Sequence, residues 1–208
     1  MAAGGGERQR AASALMRAFA ETTGLTGNAR PQRYLWTDAF GVCNFLGLHR
    51  VTGRADYLEL ALKLVEQVHH VLARHRDDDP RRGWISGLGE AEGERHPTLG
   101  GLRIGKDLPE RQPHDPLDAR LEWERDGQYL HYLTQWMHAL HRVSEETGIP
   151  AFDTWAVELA QAAHAAFTRP SATADRPRSS TIAAAVGIPV AEPPRYLSLI
   201  HISEPTRH

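Results

Sequence analysis

Apolar positions follow two different patterns along the first half of this chain. From Trp36 to Val51 (WTDAFGVCNFLGLHRV) they fall on nearly every side of a helix. From Arg54 to Arg74 (RADYLELALKLVEQVHHVLAR) they keep to one face, made by Tyr57, Ala61, Leu64, Val65, Val68 and Leu72. A helix that is apolar all round is buried, and one with a single apolar stripe lies at a surface. The first segment is therefore predicted to be an inner helix and the second an outer one, with Glu59, Lys63, Glu66 and His70 left for water. Thr37 or Asp38 is placed to cap the inner helix. The Thr52-Gly53 turn ends it, because glycine takes the left-handed conformation at low cost.

The pairing recurs downstream. Gly127 to Glu146 (GQYLHYLTQWMHALHRVSEE) is again rich in apolar and aromatic residues. Ala151 to Phe167 puts Phe152, Trp155, Ala156, Leu159, Ala163 and Phe167 on one face. Aligning Thr52-Gly53 with Thr147-Gly148 lays Tyr57 on Phe152, Ala61 on Ala156, Leu64 on Leu159 and His69 on His164. Two copies of an inner and outer helix are the mark of a helical repeat array. The plainer alternative is two unrelated hairpins that both need a glycine stop. A further helix is predicted over Glu7–Thr22, with Ala11, Leu15, Ala18 and Phe19 on its apolar face.

Between the pairs, 77–118 is punctuated by prolines (Pro80, Pro97, Pro109, Pro113, Pro116) and glycines. This is a long loop excursion with at most short strands, near Trp84–Ser86 and Leu102–Ile104. Such loops are commonly functional, and Trp84, Ile85, Leu88, Leu99, Leu102 and Ile104 argue that this one is packed. From Thr168 the periodicity stops. The expected division is a helical domain over 1–168, a linker or out-of-frame tail over 169–196, and a non-native segment over 197–208. Within that last segment, Leu197–Arg207 (LSLIHISEPTR) resembles the translation of a transposase adapter used in sequencing-library preparation, so the helical domain is expected to be cut short.

Composition narrows the class without naming a function. With 41% hydrophobic and 24% charged residues, the 208-residue chain is ordinary for a globular protein. A net charge of −2 offers no general attraction to nucleic acid or anionic membrane. No apolar run approaches a membrane span and no signal sequence opens the chain, so a cytoplasmic location is expected. One cysteine, Cys43, excludes an internal disulfide and a cysteine-rich zinc site, and is expected to be a buried, inert thiol. Among twelve histidines, His138 and His141 lie three apart on one helix, but no third ligand follows at zinc spacing. No metal and no cofactor are expected.

RYLWTDAF, the glycine turn followed by ADYLELALKL, and DGQYLHYLTQWMHAL together resemble the six-hairpin glycosidase-like (α/α)6 toroids. The resemblance covers roughly Tyr34–Phe167. It implies an all-α, incomplete toroid of inner and outer hairpins, and a carbohydrate-active parent: a glycoside hydrolase, an unsaturated glucuronyl hydrolase or, on a related barrel, a sugar epimerase. It places the cleft at the rim where inner helices begin.

Glycoside hydrolysis needs two nearby carboxyl groups. Asp38 and Asp126 form the preferred pair, with Glu122 or Glu124 as alternate acid, although Asp at a helix start is also an ordinary cap. Trp36, Trp84, Trp123, Gln128 and Tyr129 are candidate sugar contacts, whereas Trp136 and His69 belong to the core. Arg103, in the loop run GGLRIGK, could hold a carboxylate on an acidic sugar. His131 would be the acid–base group of an epimerase or isomerase. The third reading is a non-catalytic helical scaffold. A fragment of a toroid is expected to be inactive by itself and to self-associate through exposed apolar surface.

Overall fold

The computed structural model describes residues 3–111, 116 and 118–168. Both expected tail segments, 169–196 and 197–208, and Pro113 lie outside the described residues. The described chain is mostly helical, and its helices are α1 (Ala3–Thr22), α2 (Leu35–Thr52), α3 (Ala55–Leu72), α4 (Glu90–Arg95), α5 (Ala119–Glu122), α6 (Leu130–Thr147) and α7 (Ala151–Phe167). No strand forms at Trp84–Ser86 or Leu102–Ile104. Among the described residues there are only isolated bridges, Arg74 with Trp84 and Leu108 with Arg125. Trp84 and Leu102 instead go into the hydrophobic core.

Both hairpins are built by the same local chemistry. Gly53 and Gly148 each sit at φ 69°, in the left-handed region. Before them, Thr52 Oγ1 donates to Leu48 O (2.6 Å) and Thr147 Oγ1 donates to Val143 O (2.8 Å). Each hydroxyl then accepts the amide of the residue after the glycine, Arg54 or Ile149, at 3.2 Å. The threonine thus ties off a free carbonyl and a free amide at the hairpin corner.

α2 and α6 lie parallel, side by side. At their N-terminal ends the Tyr34 and Tyr132 hydroxyls are hydrogen-bonded at 2.5 Å, and at their C-terminal ends Arg50 pairs with Glu146 at 2.5 Å. α3 and α7 pack on one side of this pair. His69 of α3, fully internal, stands edge-on between Trp136 of α6 and Trp155 of α7 and accepts the Trp136 indole N–H at 3.2 Å. The predicted stripe of α3 is buried at all six positions.

Two expectations about faces are corrected. α2 is not sealed all round, since Thr37, Phe40, Asn44, Gly47 and Val51 form an open stripe at heptad spacing, with Phe40 46% and Val51 66% exposed. α6 carries the same kind of stripe: His131, Thr134, His138, His141 and Glu145. Both face away from the outer helices. On α1 the buried positions are Ser13, Met16 and Ala20, whereas Leu15 is 68% exposed and Ala11 and Ala18 are also exposed. α1 packs against α2 alone among the helices, so a narrow stripe with Phe19 against Phe45 is all it can bury.

The excursion packs through Trp84, Ile85, Leu102 and Ile104, whereas Leu88 is half-buried and Leu99 stays 43% exposed. α4 is held to α3 by His70–Glu94 (2.7 Å) and to α7 by the Trp155 indole donating to Arg95 O (2.8 Å). The 102–105 segment then threads across the N-terminal rim: Ile104 accepts from Leu35 N (3.0 Å) and donates to Gly127 O (2.9 Å). Among the described residues, no helix is long and apolar enough to cross a membrane.

Candidate functional site

The rim where α2 and α6 begin collects most of the candidate residues, but it uses them unequally. Asp38 sits in the first turn of α2 and is 1% exposed. It is not the N-cap, a position held by Tyr34. Its Oδ2 reaches back to accept the Tyr34 amide at 2.9 Å, which still satisfies one free amide of the helix start. Arg33, equally buried, holds a guanidinium nitrogen 3.7 Å from Asp38 Oδ1, and donates to Thr23 O (2.6 Å) and Gln32 O (2.8 Å). Burial raises the Asp38 carboxyl to about 7, against the opposing pull of Arg33 and the Tyr34 amide.

Asp126 is also 1% exposed, and its oxygens are taken up by its own chain. Oδ1 accepts Gly105 N (2.8 Å) and Gly127 N (3.0 Å). Oδ2 accepts from Arg103 and from Arg76 Nη1 (3.3 Å). Arg103 spends its remaining donors on Val71 O (2.6 Å) and Arg74 O (2.8 Å). Gln128 is buried and donates to Gly100 O at 3.1 Å. Trp84 is 2% exposed beneath the Arg74 guanidinium, which lies 4.2 Å from its ring centre. Asp126, Gln128 and Trp84 are therefore buried braces of the excursion against the helices, and Arg103, half-buried, has its donors committed to the same brace. Glu122 lies between Arg111 (3.1 Å) and Arg125 (3.4 Å), and Glu124 is exposed near Lys106. Trp123 is 78% exposed.

What the rim does present is aromatic. Trp36 meets Phe40 at 5.4 Å between ring centres, His131 at 5.8 Å and Tyr132 at 5.3 Å. Tyr132 in turn meets Tyr34 and Tyr129, each at 5.7 Å, and His131 at 4.6 Å. These edge-on and tilted contacts are the arrangements that ring quadrupoles favour. The six rings are half-buried or exposed, so they form one continuous apolar surface with polar edges. Lys106 Nζ lies 5.4 Å from the Tyr34 ring centre, within cation–π reach. Burial lowers the His131 imidazole from its ordinary value, keeping it neutral near pH 7 with one donor and one acceptor nitrogen. Burial, followed by the Tyr34 hydrogen bond, pushes the Tyr132 phenol upward, so it stays protonated.

Of the candidate residues, Trp36, Tyr129 and His131 come together here. Tyr34, from the same helix start as Trp36, and Lys106, which ends the GGLRIGK run, join them, as do Phe40 and Tyr132, which were not singled out. The signal for Phe40 and Tyr132 was present as Trp36–Phe40 at helical i, i+4 spacing and as the His131-Tyr132 doublet at the matching helix start. Among the described residues, no group of three or more His, Cys, Asp or Glu is placed to hold a metal. Cys43 is half-buried, and burial raises its thiol above the ordinary value. In comparisons with protein-family models, curated proteins and solved structures, nothing matches the chain.

Proposed function

We propose that this chain is part of an (α/α) toroid whose inner-helix rim binds carbohydrate. α2/α3 and α6/α7 are then consecutive hairpins of the wheel, and the open stripes of α2 and α6 face its lumen. The observation that carries the binding reading is the ring surface of Trp36, Phe40, Tyr129, His131 and Tyr132. Sugar rings have apolar C–H faces and hydroxyl edges. Aromatic faces with hydroxyl and imidazole edges match both at once. Lys106, standing beside Tyr34, favours an acidic sugar.

Binding is better supported than turnover. Hydrolysis asks for two carboxyl groups facing the sugar, and Asp38 and Asp126 are each 1% exposed and engaged with arginines. Epimerisation asks for a second acid–base group across the sugar from His131, and its ring neighbours are Trp36, Tyr129 and Tyr132. Calorimetric titration with neutral and uronic-acid oligosaccharides tests the reading. Saturable binding that Trp36→Ala abolishes supports it, and unchanged binding in that variant refutes it.

A further inference from the structure

At the other end of α2, about 24 Å from Trp36 by the rise of the helix, α1 and the α2–α3 turn enclose a groove of about 490 Å³. One wall is a single stripe of α1: Gly6, Gln9, Arg10, Ser13 and Arg17. The other is Val51, Thr52, Arg54 and Tyr57. Three arginines line it and no acid does. Arg54 is shared, since it holds Asp56 by two hydrogen bonds (3.0 and 2.5 Å) while lying 5.1 Å from the Tyr57 ring centre. Arg10 and Arg17 form no ion pair among the described residues. Arg17 Nε donates only a long 3.4 Å bond to Ser13 O. The groove is of ordinary ligand size, but its walls are cationic where most such sites are apolar.

We propose that this groove binds a small polyanion, with phosphate or carboxylate groups seated between Arg10 and Arg17 and its remainder over Arg54 and Tyr57. Guanidinium forks suit both oxyanions. The i, i+7 spacing of Arg10 and Arg17 sets them two turns apart, roughly 10 Å along α1, so a ligand with two separated anionic groups fits better than one with a single group. The site is independent of the aromatic rim.

The full chain is titrated with 1,6-hexanediol bisphosphate in one arm and octanedioate in the other, each with its two anionic ends separated by an alkyl chain, following backbone amide shifts of Gln9 and Val51. Saturable binding is expected, and the tighter arm identifies the oxyanion. Arg10→Ala and Arg17→Ala should each weaken it about tenfold, as loss of one charge-assisted hydrogen bond does. Arg82→Ala, an exposed arginine elsewhere, should leave it unchanged. Failure of both arms to saturate overturns the proposal, as does equal weakening by Arg82→Ala.

Discussion

The Tyr34 and Tyr132 hydroxyls lie 2.5 Å apart and join the N-cap of α2 to the first turn of α6. This bond ties together two hairpins whose sequences are far apart. Replacing either tyrosine with Phe should cost about 1 kcal/mol. The double variant should cost no more than either single one, a coupling of about 1 kcal/mol in a denaturant-unfolding cycle. Additive losses would show that the hydroxyls act separately.

Asp38 and His69 should tilt the pH dependence of stability in opposite directions. The folded Asp38 value of about 7 lies above its ordinary 3.8. Its contribution is therefore full below about 3.8, falls as pH rises, and is gone above about 7. His69, buried and next to His70, is lowered from 6.5 to about 3. The unfolded chain takes up a proton there that the folded chain refuses, so stability falls as pH drops below about 6.5. Between pH 4 and 6.5 the two oppose each other, each by up to about 1.4 kcal/mol per pH unit. In Asp38→Asn, stability should rise more steeply with pH than in the parent. In His69→Gln it should rise less steeply or fall. Unfolding free energies measured across this range give both slopes, and parallel curves for all three proteins would contradict the assignment.

Asp126→Asn should be costly. The change keeps the shape but removes the charge that faces Arg103 and Arg76. A loss of about 3 kcal/mol is expected, the cost of stranding partly buried cations. A thermal melt within a degree or two of the parent would mean that solvent already compensates them.

Gly105 cannot carry a side chain. It sits at φ 89°, and an added Cβ would lie 2.1 Å from the Arg33 carbonyl oxygen. Its amide also holds Asp126. Gly105→Ala should cost about 3 kcal/mol through strain and displacement of the segment. Gly53→Ala, with open space around it, should cost only about 1 kcal/mol. Equal losses in a denaturant series would remove the clash from the account.

The hairpins were legible in the sequence because their signals are local. Thr52-Gly53 and Thr147-Gly148 fix both corners, and the stripe from Tyr57 to Leu72 fixes the face of α3. The open side of α2 was not legible, since small or polar Thr37, Asn44 and Gly47 are interleaved with Phe40 and Val51 and read as dry. On α1, choosing Leu15 over Met16 depended on knowing how little of α2 was left to cover. The site was half legible. Trp36 and His131 announced themselves at helix starts. The fate of Asp126 did not, because Arg76 and Arg103 reach it from 50 and 23 residues away. Trp84, a candidate sugar contact, is used up filling the space that Gly93 leaves for it.

The most direct test treats the protein with uronic-acid oligosaccharides and reads two signals together, bound ligand and newly released reducing ends. The rim described here predicts saturable binding that is lost in Trp36→Ala, with no release of reducing ends. Release that disappears in Asp38→Asn would contradict it, and so would binding that survives in Trp36→Ala.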